Sequence, residues 1–172
     1  MKITKPGAVK NCIAALAVGL AVSQATVAPQ EADAPQRRSI EGVWRVTVTP
    51  RNCVTGVPIP TAAFEALFTF HKGGTMSAWL QNSTITTTRS PNHGLWKRDE
   101  GWSAYSFKFV HLRYNLTTGV FIGRQEGAGT LVSGESGDEF TTDGSTALFD
   151  ANGNPTGTSC SNSVATRFKF EQ

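Results

Sequence analysis

The sequence predicts an all-β fold, an eight-stranded antiparallel up-and-down barrel, with a β-sandwich as the competing arrangement. Three kinds of observation carry this expectation: strand periodicity without a helical stripe, the turn-rich gaps, and the cysteines. Eight segments alternate apolar and polar residues with period two, no eleven-residue window carries a helical stripe, and the gaps are short and rich in Gly, Asn, Asp and Thr, as hairpin turns are. The third is the placement of two cysteines, Cys53 and Cys160, at the exit of the first strand and the entrance of the last.

The strands follow in order. Gly42 to Thr49 alternates around Trp44, Val46 and Val48. Ala63 to His71 puts Phe64, Ala66, Phe68 and Phe70 on one face, and a Lys-Gly-Gly turn leads into Thr75 to Leu80, with Met76, Ala78 and Leu80 in phase. Gly94 to Arg98 and Trp102 to Asn115 are a short and a long strand joined at Asp-Glu-Gly. Gly119 to Val132, Asp138 to Asp150 and Asn162 to Glu171 complete the eight. Gly123, Gly127 and Gly129 would weaken a flat sheet but suit one that bends sharply.

Closure into a barrel removes both sheet edges. In an antiparallel pair the numbers of opposed residues sum to a constant; Cys53 with Cys160 gives 213 and Trp44 with Arg167 gives 211. A disulfide between the two cysteines, whose geometry needs Cα atoms roughly 4.4 to 6.8 Å apart, would therefore fasten the first strand beside the last. The odd sum opposes Trp44, Val46 and Val48 to Ala165 and Arg167, whereas Val164, Phe168 and Phe170 read as the apolar face of the last strand, so a bulge is expected to restore the phase.

Ahead of the barrel the chain reads as an export signal and an arm. Lys2, Lys5 and Lys10 precede an eleven-residue apolar run, Cys12 to Val22, and small residues at Val22 and Ala25 suit cleavage after Ala25. A membrane helix needs roughly 20 apolar residues, so residues 1–25 are expected to leave as a signal peptide, taking Cys12 with them and leaving no membrane span. Thr26 to Ser39 is polar and aperiodic, a flexible arm, and residues 40–172 form one barrel domain. The implied compartment is secreted or periplasmic, where disulfides persist. The net charge of +3 falls close to zero without the signal lysines, and Arg37 with Arg38 is a pair and not a patch, which argues against a nucleic-acid partner.

A Gly-x-Trp at the start of the first strand and an Arg in the last, here Gly42, Trp44 and Arg167, set in an eight-stranded meander, resemble the lipocalins and the wider calycin superfamily. The resemblance implies a structural role: the Trp closes the barrel floor, and the Arg lies across it and donates to nearby carbonyls. The Thr-Asp-Tyr-like motif of typical lipocalins and their helix after the barrel are missing. The stretch Ser90 to Arg98, with Tyr105 to Phe109 and a later glycine-spaced turn, also resembles small secreted bacterial barrels of unassigned activity.

Chemistry is sparse. His71, His93 and His111 are all more than four residues apart, so local zinc spacing is missing and neither metal nor cofactor is expected. Gly-Thr-Ser-Cys-Ser-Asn carries no nucleophile elbow, and Gly-Arg-Gln-Glu-Gly-Ala-Gly lacks the Lys and the helix of a phosphate loop. The long fifth strand offers more, because Tyr105, Phe107, Phe109, His111 and Arg113 share one parity. With Phe64, Phe68 and Trp79 they form the candidate ligand-binding set, an apolar pocket with a cationic spot near its mouth, suited to a small apolar ligand or an amphipathic one with a carboxylate or carbonyl; the alternative leaves His111 and Arg113 at a strand end in solvent. Glu65, Asp138 or Glu139 would pair with Arg113, and Arg124 on the neighbouring strand would replace or join it. Noncatalytic binding is the favoured reading. The competing ones are a barrel isomerase or cyclase with His111, Tyr105 or Glu65 as proton carriers, and a structural or interaction protein with a solid core. The oligomeric state is left open.

Overall fold

The computed structural model describes residues 39–81 and 87–170. The expected signal peptide, and the arm apart from Ser39, lie outside the described residues. Nine strands run in chain order: β1 (Gly42–Arg51), β2 (Phe64–Phe70), β3 (Thr75–Leu80), β4 (Thr87–Arg89), β5 (Asn92–Arg98), β6 (Ala104–Asn115), β7 (Phe121–Ser133), β8 (Glu139–Phe149) and β9 (Pro155–Arg167). Every pairing is antiparallel, each strand lies beside the next in sequence once β4 is set aside, and β9 returns to β1. β4 and β5 both pair with β6 on the same side and together fill one position, so the nine strands make a closed eight-stranded barrel. The break between them falls at Ser90 and Pro91, where proline has no N–H to give the ladder. The Ser90 hydroxyl instead accepts from the Leu112 amide at 3.0 Å. The fold is all-β, with lipocalin-type topology.

Closure uses the sum of 211: Trp44 opposes Arg167 and Arg51 opposes Cys160 with no slip between them. Cys53 and Cys160 are disulfide-bonded, their Cα atoms 5.3 Å apart, which ties the connection after β1 to the wall of β9. The bulge expected between these strands is missing, and the face assignment that called for it is reversed. Ser163 and Ala165 point inward, Val164 is 60% exposed, and Phe168 and Phe170, outside the strand, lie in solvent. Phe168 finds a partner there, the Arg45 guanidinium 5.0 Å from its ring centre. The last strand also starts seven residues earlier than its apolar pattern suggests, because its first half is built from Thr, Gly and Ser.

The barrel has a closed end, where β2 turns into β3, β5 into β6 and β7 into β8, and an open end formed by the other connections. The closed end is filled by Ile40, Trp44, Phe70, Met76, Tyr105, Leu131 and Phe140, all buried. The Trp44 ring lies 4.7 Å from that of Phe140, and its Nε1 donates to the Ile40 carbonyl at 2.8 Å. The Arg167 guanidinium sits 4.2 Å from the Trp44 ring centre and donates to the carbonyls of Ser39 (2.7 Å), Glu41 (2.6 Å) and Gly137 (2.7 Å). Gly42 makes this approach possible: its φ is +126°, and a Cβ there would stand 2.9 Å from Arg167 Nη1.

Candidate functional site

Above this floor the lumen is not filled. A cavity of about 440 Å³ occupies the open half of the barrel, within the roughly 300–1,000 Å³ usual for small-molecule sites. Its two walls differ in chemistry. Phe64 and Phe68 of β2, Leu80 of β3, and Phe107 and Phe109 of β6 form an apolar wall; Thr142, Gly144 and Thr146 of β8 and Gly157, Ser159, Ser161 and Ser163 of β9 form a wall of small and hydroxylated residues.

The space comes from how the aromatic rings lie. Phe107 opposes Gly129 and Phe109 opposes Gly127 across the β6–β7 pair. A Cβ on Gly127 would overlap the Phe109 ring, and one on Gly129 would stand 2.8 Å from Phe107 Cζ. The rings therefore lie back on the β7 backbone. They form a ladder with His111, with planes within 8° and centres 6.4 Å apart at each step. The glycines of β7 thus allow the aromatic stripe to line the wall and not block the lumen.

His111 is the most unusual group in the cavity. It is 2% exposed and lines the cavity, and among the described residues its ring nitrogens have no more than a weak hydrogen bond with the Gln125 side chain. Burial first, then the positive charges of Arg89 and Arg113, lower its pKa to about 4, against a partial opposing effect of Gln125. Gln125 opposes His111 in register and donates from Nε2 to Thr146 Oγ1 at 2.9 Å; Thr146 and Ser159 share a hydrogen bond of 2.6 Å. A polar track thus runs from the imidazole across β7 and β8 to β9. Arg89, opposite Arg113 in register, also lines the cavity, and its pKa is lowered by burial and by Arg113. None of the described lining residues is acidic.

Of the residues singled out in the sequence, Phe64, Phe68, Phe107, Phe109 and His111 come together here. Arg113 stands beside the cavity, acting on His111 through its charge. Tyr105 belongs to the floor, where its hydroxyl meets Arg98 at 3.0 Å and the Trp102 carbonyl at 3.3 Å. Trp79 does not line the cavity. It is 55% exposed on the outer face of β3, because Met76, Ala78 and Leu80 take the inward positions and Trp79 falls between them. The acids expected to pair with Arg113 are engaged elsewhere: Glu65 accepts from the Thr47 hydroxyl on the outer surface, and Asp138 binds Arg167 and Lys169 at the floor. Glu139 is on an outward position of β8, and Arg124 pairs with Glu126. The proton-carrier set is likewise dispersed. Tyr105 is six residues from His111 along β6, about 20 Å at strand rise, and Glu65 is outside the barrel.

Arg89, Gln125 and the hydroxyl wall did not stand out in the sequence. Alternation of small residues, as in Gly157, Ser159, Ser161, Ser163 and Ala165, was the available signal. Among the described residues no group of three His, Cys, Asp or Glu could hold a metal ion, and no helix is long and apolar enough to cross a membrane. Comparison of the chain with protein-family models, curated proteins and solved structures finds no match. The lipocalin-type assignment therefore rests on barrel topology and not on kinship.

Proposed function

We propose that this is an exported binding protein that holds one small apolar or amphipathic molecule in the open half of its barrel and does no chemistry on it. The observation that carries this reading is the two-walled cavity of about 440 Å³. An eight-stranded barrel has room for side chains or for one small ligand, and here phenylalanines on one wall face serines and threonines on the other. Apolar surface gives such a site its affinity, and a few placed polar groups give orientation. Binding without catalysis is favoured because none of the described residues lining the cavity with His111 is a carboxylate or a tyrosine. The positively charged leader and apolar run support export, to the periplasm or beyond.

Native mass spectrometry of the protein isolated from its own host, followed by extraction of what it retains, tests the reading. A one-to-one adduct, or stoichiometric uptake of a fluorescent fatty-acid probe, is the expected result. Retention of nothing together with no uptake of the probe would count against binding and return the solid-core reading.

A further inference from the structure

We propose that the head group of the bound molecule is a carboxylate, seated against His111 in the positive field of Arg89 and Arg113, with the apolar body of the ligand directed down toward Phe107 and Phe68. This rests on the binding reading above and names the ligand class for that site.

His111 carries the case. A buried imidazole with one weak hydrogen bond, to Gln125, and a second ring nitrogen left over is costly, so its facing a cavity points to a partner arriving from outside the chain. The neutral imidazole offers one N–H donor and one lone pair. Among the described residues the groups facing it are Arg113 from β6, Arg89 from β4, Gln125 from β7 and, along the polar track, Thr146 of β8 and Ser159 of β9, none of them an acid. Arg89 makes a further interaction of its own and acts here through its charge. Two guanidinium groups side by side next to a desolvated imidazole repel one another and any bound cation. An oxyanion reverses each of these terms: it accepts from the imidazole N–H, neutralises part of the guanidinium repulsion, and favours the protonated ring. The orientation follows from depth. Phe107 lies four residues nearer the floor than His111 on the same strand and face, and Phe68, opposite Trp44, is deeper still. An acyl chain entering tail first would bury itself among phenylalanines and leave its carboxylate at the level of His111.

The test compares decanoate, decanol and decylamine, which share a tail and differ in head group, by displacement of a fluorescent fatty-acid probe at neutral pH. The ring protons of His111 are followed by NMR against pH with each ligand. Decanoate should bind about tenfold or more tighter than decanol, with decylamine weakest, and the His111 pKa should rise by about one unit or more with decanoate only. His111→Phe should lose most of the preference for the acid over the alcohol. Should that variant fail to fold, the wild-type NMR decides. Equal affinity for decanoate and decanol, or tight decanoate binding with the His111 pKa unmoved, would overturn the carboxylate assignment and leave the binding reading standing. Failure of all three ligands and of the probe to bind would overturn the binding reading itself.

Discussion

At the closed end of the barrel Trp44, Phe70 and Phe140 fill the lumen from wall to wall, and each polar group of Arg167 meets a carbonyl or a carboxylate. At the open end the rings of Phe107 and Phe109 lie against glycines, the facing wall is cut back to Gly, Ser and Thr, and His111 is buried with hydrogen-bonding capacity left over. The same eight strands build both halves, so the difference lies in side chains. Large residues meeting from opposite walls make a plug; large residues on one wall and small ones on the other make a container. Stability is concentrated in the plug, while the container keeps the buried imidazole of His111 facing open space.

Substitutions at the two ends should separate stability from binding. The largest effect is expected for Trp44→Ala, which removes a fully buried ring from the floor and should cost about 3 to 5 kcal/mol in denaturant melts. Loss of the Cys53–Cys160 bond in a Cys53→Ala, Cys160→Ala double variant should cost about 2 to 4 kcal/mol. Free-thiol assay of the unfolded, unreduced wild type should find neither of these two cysteines reactive. Acidification acts at the other end. The His111 pKa is about 4 in the folded protein and near 6.5 in an unfolded chain, so between those values the unfolded state binds the extra proton. Stability should therefore fall as pH drops from about 6.5 to about 4, by on the order of 2 to 3 kcal/mol, and His111→Phe should remove this part of the pH dependence. Arg167→Ala should cost about 1 to 3 kcal/mol, because three carbonyls lose their donor. Probe affinity should stay unchanged in that variant, since Arg167 does not line the cavity.

The two ends also differ in how far the sequence reveals them. The floor was legible: Gly42, Trp44 and Arg167 stand in the register that their numbers suggest, and the cysteines close the same seam. Alternation of apolar residues works there because inward and apolar coincide. At the cavity they part. Ser163 faces in while Val164 faces out, and Trp79 lies outside beside Leu67, so the rule that places apolar residues inside puts the last strand in the wrong phase and moves Trp79 into the site. The glycines of β7 were read as bends, whereas their contact with Phe107 and Phe109 needs the cross-strand register to be seen. Arg89 sits in a three-residue strand cut off by Ser90 and Pro91, too short for period two to register.

The division between plug and container is tested most directly by titrating a fluorescent fatty-acid probe into the wild type and two variants, one from each end. Ser163, between Val48 and Thr142 in register, faces the cavity, and Ser163→Leu should fill part of it; Arg167→Ala alters only the floor. The expected result is stoichiometric uptake by the wild type and by Arg167→Ala, with at least about tenfold weaker uptake by Ser163→Leu, even where its melting midpoint matches the wild type. Uptake by Ser163→Leu equal to that of the wild type, with loss of uptake in Arg167→Ala at a concentration of denaturant where it remains folded, would contradict the account.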